Sequence, residues 1–227
     1  MFAQVADSPI REVYWCVRCR SVGRNRLLAL GLAAELGVSR LSEIKRSGLS
    51  RDVYVAATSG PIFRRMPVGT ARLTTSDYLP DVDPGAALPD GHSSGQNLEA
   101  LTYDDGSFDV VVTEDVLEHV RDPDACFSEI YRVLRPGGAH IFTVPWQPQV
   151  EHIKRVDTTG PDDVKLLPDE WHGDYVRGRI LAYRTFGYGI FDQLAKHGFE
   201  TELLVPSIRN LNAGIHDTYV FVARKPA

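Results

Sequence analysis

Two histidines, several acids and one run of small residues are the parts of this 227-residue chain with chemistry to offer. His119 follows Glu118, and His172 sits in the stretch Pro168-Asp169-Glu170-Trp171-His172-Gly173. Only a neutral imidazole accepts a proton, and it does so near neutral pH, so either ring suits a general base acting on a hydroxyl. Each also reads as an ordinary packing or loop-ordering residue. Ala57-Thr58-Ser59-Gly60 is a turn of small side chains. Such a turn lets backbone N–H groups come close to a ligand, although a plain strand–helix turn looks the same. Asp77 follows Gly60 at close to the spacing of about 20 residues at which α/β sheets place a ribose-binding acid. A solvated turn aspartate is the alternative. Tyr78 beside it offers a ring face. Asn97, ahead of Leu98, carries both a donor and an acceptor. Glu114 and Asp115 are adjacent acids, suited to a ligand's amine or to a helix start. Cys16-x-x-Cys19 looks like half of a zinc ribbon, but structural zinc takes four ligands and no second pair lies nearby. No metal is therefore expected.

These residues need elements that bring them to one place. Val110-Val111-Val112 is a β-branched run without alternation, as in a parallel strand covered on both faces. Asp122 can cap the next helix, Pro123 suits its first position, and Asp124 faces the positive end of its dipole. Phe127, Ile130, Val133 and Leu134 recur at helical spacing, and Arg135-Pro136-Gly137-Gly138 reads as the stop. Ile141 to Pro145 is the next strand, which makes a right-handed βαβ unit. Upstream, helices are expected over 27–36, 39–46 and from 61 to 65, and strands over 53–56 and 71–76. Residues 79–97, rich in Pro, Asp, Gly and Ser, read as a long ordered loop.

Residues 146–185 lack clean periodicity, and so long an interruption of a compact domain is usually functional. Trp146, Trp171, Tyr175, Tyr183 and Phe186 offer it an apolar pocket lining, or simply core. A helix over 187–197, with Ile190, Phe191 and Leu194 inward, precedes strands over 200–205 and 218–223. Residues 1–20 read as extended or loosely attached. Arg18, Arg20, Arg24 and Arg26 form a solvated basic face, or else a contact for an anionic substrate.

The block from 108 to 145 closely resembles the class I S-adenosylmethionine-dependent methyltransferases, in the branch called type 11, and the likeness runs roughly over residues 51–225. It implies a three-layer Rossmann-like α/β sheet of strand order 3-2-1-4-5-7-6, with strand 7 antiparallel. Residues 1–50 would then be an N-terminal extension, and 51–227 the methyltransferase domain with 146–185 inserted. The implied cofactor is S-adenosylmethionine. Ala57, Thr58, Ser59 and Gly60 would meet its methionine end, Asp77 its ribose, Tyr78, Asn97 and Leu98 its adenine, and Glu114 and Asp115 its amino group. Members commonly carry two or three glycines where this chain has only Gly60. His119 and His172 would face the methyl group. O-methylation of a sugar or other small molecule is the expected activity, with a non-catalytic binding or scaffold module as the alternative.

Composition narrows the field. An apolar fraction of 43% and a charged fraction of 24% are those of an ordinary globular domain. A net charge of -5 argues against a broad nucleic-acid surface. The first residues show no signal-peptide pattern, and no apolar run is long enough to span a membrane. Three cysteines, an odd number, suit a reducing, cytoplasmic setting. The expected partner is a small-molecule acceptor, with neither nucleic acid nor membrane involved; oligomeric state stays open.

Overall fold

The computed structural model describes residues 2–4, 14–174, 176–207, 210 and 212–227. Seven strands form one sheet: β1 (Val53–Val55), β2 (Leu73–Asp77), β3 (Ser93–Gly95), β4 (Phe108–Glu114), β5 (Leu134–Thr143), β6 (Glu200–Leu204) and β7 (Val220–Arg224). Their order is 3-2-1-4-5-7-6, all parallel except β7, which runs antiparallel to both β5 and β6. This is the architecture the resemblance implies.

Period-two alternation sends neighbouring residues of the central strands into different layers. Val53, Val55, Val110, Val112 and Ile141 pack beneath helices α1 (Gly23–Glu35), α2 (Leu41–Ser47) and α3 (Gly60–Phe63). Tyr54, Val111, Phe142 and Phe221 face helices α4 (Pro123–Val133) and α5 (Gly189–Lys196). Each fully buried aliphatic or aromatic side chain contributes on the order of 1.5–3 kcal/mol, so two filled layers hold the sheet. Leu27, Leu28 and Leu32 of α1 lie in the same core as β1. That helix starts earlier than its apolar run suggests. Its N-cap, Val22, has no capping oxygen, and Asn25 Oδ1 instead accepts from the Val22 N–H at 2.8 Å. In α4, Asp122 caps as expected, accepting from the N–H groups of Asp124 and Ala125 at 2.9 and 3.1 Å.

Two expectations need correction. Residues 79–97 are not loop throughout, because Ser93–Gly95 pairs with Thr75–Asp77 as the sheet's outer strand. Three residues without apolar character give no strand signal; pairing with β2 supplies the order. Nor does Arg135-Pro136-Gly137-Gly138 separate α4 from the next strand. Strand β5 begins at Leu134 and absorbs these residues in an irregularity opposite Phe108 to Val110. A side chain at Gly138 would meet the carbonyl oxygens of Arg135 and Asp109 at 2.9 Å, so this close approach needs glycine. At the N-terminus Phe2–Gln4 pairs with Tyr14–Cys16, and residues 5–13 lie outside the described set. Among the described residues no helix is long and apolar enough to cross a membrane.

A titratable histidine is sealed in this core. His140, at 0% exposure, holds Thr113 Oγ1 at 2.9 Å through Nε2, and burial pushes its pKa down to about 3. The unfolded chain takes a proton near pH 6.5, which the folded chain refuses until about pH 3. Stability is therefore complete above pH 6.5 and falls below it by about 1.4 kcal/mol per pH unit from this group. Urea unfolding at pH 7 and pH 5 should show wild type losing about 2 kcal/mol more than His140→Gln. Parallel losses would show that His140 does not govern this part of the acid response.

Candidate functional site

Strand order reverses between β1 and β4, so the connections leaving their C-terminal ends diverge and open a crevice. A cavity of about 1290 Å³ lies there. It exceeds the 300–1,000 Å³ typical of a pocket for one small ligand, leaving room for two.

The sheet builds one wall. Ala57, Ser59, Gly60, Asp77, Tyr78, Asn97, Leu98, Glu114 and Asp115 all line the cavity. Gly60 opens α3 at φ 88°, a conformation that explains why the one glycine of this turn stands there. Thr58 does not line the cavity; its hydroxyl donates to Asp77 Oδ2 at 2.8 Å, and the Tyr78 N–H donates to Oδ1 at 2.9 Å. These bonds aim the carboxylate and leave it lone pairs for further donors. Asn97 spends its carbonyl oxygen on the Glu99 N–H at 3.0 Å. Asp115 stands at φ 49°, costly for a residue with a Cβ, and its N–H is held by the Thr143 carbonyl at 3.0 Å.

Helix α1 reaches the same wall. Arg24 pairs with Glu114 at 3.0 Å and with Asp115 at 3.2 Å, and Asn25 also donates to Glu114. Arg26 donates to the carbonyls of Ser21 and Gly214. The basic face expected at 18–26 is thus half dismantled: Arg18 and Arg20 are exposed, while Arg24 and Arg26 are engaged inside the fold. Spacing in the sequence holds no sign of the Arg24 pairs, since Glu114 lies ninety residues away. Cys16 and Cys19 are free thiols, and Cys19 Sγ lies 2.9 Å from Ser21 Oγ.

The inserted segment builds the facing wall from short antiparallel ladders, the longest being Glu170–Asp174 with Gly178–Ala182. Arg184 anchors it. At 6% exposure its guanidinium donates to the carbonyls of Leu117, Val120 and Arg121. Burial pulls its pKa down, and the charges nearby oppose that. The Tyr183 N–H donates to the Glu118 carbonyl at 2.8 Å, and Arg177 reaches the Tyr78 carbonyl at 3.3 Å. Sequence reading missed Arg184, a single arginine without a motif. Trp146, Trp171 and Tyr183 line the cavity. Phe186 does not: it is fully buried in the α4–α5 layer, because its N–H is fixed to Pro145 O and its ring points into the core. Tyr175 lies outside the described residues.

His119 and His172 come together although 53 positions separate them in sequence, with ring centroids 5.0 Å apart. Both line the cavity. His119 sits in a turn, not a helix, and its Nδ1 lies 2.8 Å from Leu181 O. Between the rings is Glu118, at 0% exposure, with Oε1 at 3.6 Å from His119 Nε2 and 3.4 Å from His172 Nδ1. His172 Nε2 meets Glu170 Oε1 at 3.1 Å, and Glu170 pairs in turn with Arg155. Glu118 raises the His172 pKa above its ordinary value against the opposing effect of burial, and Glu170 adds to the rise. Glu118 was not among the residues singled out from the sequence; its neighbour His119 was the only pointer.

Residues 55–142 match a family model described as a methyltransferase domain, of the type 11 group. A ubiquinone/menaquinone biosynthesis C-methyltransferase of Hydrogenovibrio crunogenus is 35% identical over 111 residues, 49% of this chain and 39% of that protein. An arsenite methyltransferase of Aquipseudomonas alcaligenes is 34% identical over 170 residues, 70% of this chain and 44% of that protein. The chain thus spans less than half the length of these curated relatives. Among solved structures, a putative S-adenosylmethionine-dependent methyltransferase from Listeria monocytogenes superposes with a TM-score of 0.50 at 11% identity, covering 90% of this chain and all of that one. The [4+2]-cyclase SpnF gives a TM-score of 0.50 at 18% identity, covering 96% and 89%. These two likenesses concern the fold.

Arg24→Ala should cost about 1–3 kcal/mol in denaturant unfolding, because two half-buried acids lose their shared cation. Unchanged stability would mean that α1 does not hold the end of β4.

Proposed function

We propose that this chain, whose residues 55–142 match the type 11 methyltransferase-domain model, is a class I S-adenosylmethionine-dependent methyltransferase that methylates a hydroxyl of a sugar or other small molecule. One observation carries the reading: a single cavity is lined by Asp77, the Gly60 turn, His119 and His172. The donor chemistry fits the cofactor. Asp77 offers a fixed carboxylate for the ribose diol, and the small residues 57–60 offer close backbone approach for the methionine end. Asn97 and Leu98 would flank the adenine beside the exposed Tyr78 ring, and Glu114 and Asp115 would attract the amino group. When bound, S-adenosylmethionine supplies a methyl on a sulfonium: the bond from the acceptor forms as the methyl–sulfur bond breaks, and its electron pair stays on sulfur.

This chain's residues then have two tasks, alignment and loss of the acceptor's proton. Sugar and alkyl hydroxyls are the acceptors that need help with the second. His119 and His172 stand on the acceptor wall to give it, with Glu118 positioning both rings. The named relatives act on carbon and arsenite, so the choice of oxygen rests on these imidazoles. Three free cysteines fit action in the reducing cytoplasm. A scaffold or binding module is the second reading, favoured by the single glycine in the 57–60 turn. Calorimetric titration with S-adenosylmethionine separates the two, since absence of binding at millimolar cofactor would leave only the scaffold.

Asp77→Ala should weaken cofactor binding by about 1–3 kcal/mol, the cost of leaving hydroxyl donors without a charged acceptor. Full affinity in a folded variant would remove Asp77 from the site. His119→Ala and His172→Ala should each lower turnover on the true acceptor by about 10²–10⁴-fold while cofactor affinity holds. If both keep full turnover, the acceptor wall has been misassigned.

A further inference from the structure

Glu118 is completely buried, yet neither of its carboxylate oxygens receives a hydrogen bond from any described residue. An ionised carboxylate in that state is strongly disfavoured unless a cation or a proton lies against it. Two imidazole nitrogens face it, His119 Nε2 at 3.6 Å and His172 Nδ1 at 3.4 Å. The far nitrogen of each ring is already committed. His119 Nδ1 is 2.8 Å from the Leu181 carbonyl, an acceptor only, so Nδ1 carries the hydrogen. His172 Nε2 is 3.1 Å from a Glu170 carboxylate oxygen and carries its hydrogen for the same reason. Neutral rings held this way turn lone pairs, not N–H groups, toward Glu118. Three Lewis-basic atoms therefore converge, all within 4.8 Å of one another.

We propose that Glu118, His119 and His172 bind a borderline divalent cation of the Zn²⁺ or Fe²⁺ class. Two imidazoles and one carboxylate are a donor set such ions prefer and Mg²⁺ or Ca²⁺ does not. The spacing fits. Ligands about 2.1 Å from a tetrahedral ion stand roughly 3.4 Å apart, close to the separations observed here. The outer contacts fit as well, because metal-bound histidines typically donate their other N–H to a carbonyl or a carboxylate. Leu181 O and Glu170 fill those two roles, and Arg155 holds Glu170 in turn.

Both histidines line the cavity, so the ion's remaining coordination would face the acceptor. This consequence rests on the methyltransferase reading of that wall. A bound hydroxyl would be acidified as metal-bound water is, its proton passing to solvent and its oxygen keeping the electron pair for the methyl. The histidines would then serve as ligands, with the ion doing the work assigned above to a base.

The test uses the full chain, stripped with a chelator and dialysed. Zn²⁺ is titrated calorimetrically and Co²⁺ by its visible absorption. Wild type should bind about one ion per chain with a tetrahedral or five-coordinate Co²⁺ spectrum. Glu118→Gln and His172→Ala should abolish that spectrum, and Glu170→Ala should weaken binding by about 10–100-fold through the outer contact. Circular dichroism confirms that each variant is folded, and two different ligand substitutions guard against one that is not. No binding to wild type, or equal binding to the Glu118→Gln and His172→Ala variants, overturns the site. If turnover falls in His172→Ala but wild type binds no ion, the methyltransferase reading survives and the metal site does not. An ion bound at these residues without any methyl transfer would support the site and count against the function.

Discussion

The buried guanidinium of Arg184 is the interaction on which the inserted side of the cavity depends. It donates to three carbonyl oxygens in the turn that follows β4. A planar fork of fixed donors can satisfy several main-chain acceptors at once, which an ammonium on a flexible stem cannot do with the same geometry. The contact joins two segments with no strand pairing between them among the described residues: the turn carrying Glu118 and His119, and the inserted segment carrying His172. Backbone bonds from Tyr183 to Glu118 and from the His119 ring to Leu181 lock the register. Sliding the segment by one residue would break all of them together and move His172 away from Glu118.

The two walls of the cavity are made by different physics. One wall is the end of a sheet whose layers are filled with aliphatic and aromatic side chains. Its acids and turn residues inherit their positions from that core. The wall built by the inserted segment consists of short ladders and polar anchors, with exposed residues over most of 158–169. A wall held by hydrogen bonds can change its lining without disturbing the sheet, which is where a fold shared by many activities is expected to vary.

Burial of charge recurs on both sides. Glu114 and Asp115 are answered by Arg24 from a helix early in the chain. Glu118 instead faces two imidazoles, with the Arg184 charge nearby. A guanidinium neutralises an acid permanently, while an imidazole can hold a proton, lose it or bind a cation. The first arrangement suits a wall that keeps its shape, the second a centre that reacts.

What the sequence alone determined is the part governed by local periodicity and caps. The Val110 strand, the Asp122-capped helix with Phe127, Ile130 and Val133, and the closing strands were all legible, because burial on two faces and helical spacing leave direct marks in residue order. The motif block led to the sheet order and to the small-residue turn, Asp77 and Asn97 lying at the strand ends. Tertiary structure decided the rest. Strand β3 has no apolar pattern and exists through pairing with β2. Arg24, which could be read as solvated, holds Glu114 and Asp115, and of the two readings open for Phe186, pocket lining or core, the fold chose core. Glu118 drew no notice, since an acid before a histidine is ordinary until it is seen fully buried with one oxygen facing two rings. Long-range pairing of polar groups leaves no periodic signal, because its partners are chosen by the path of the chain in space rather than by their neighbours along it.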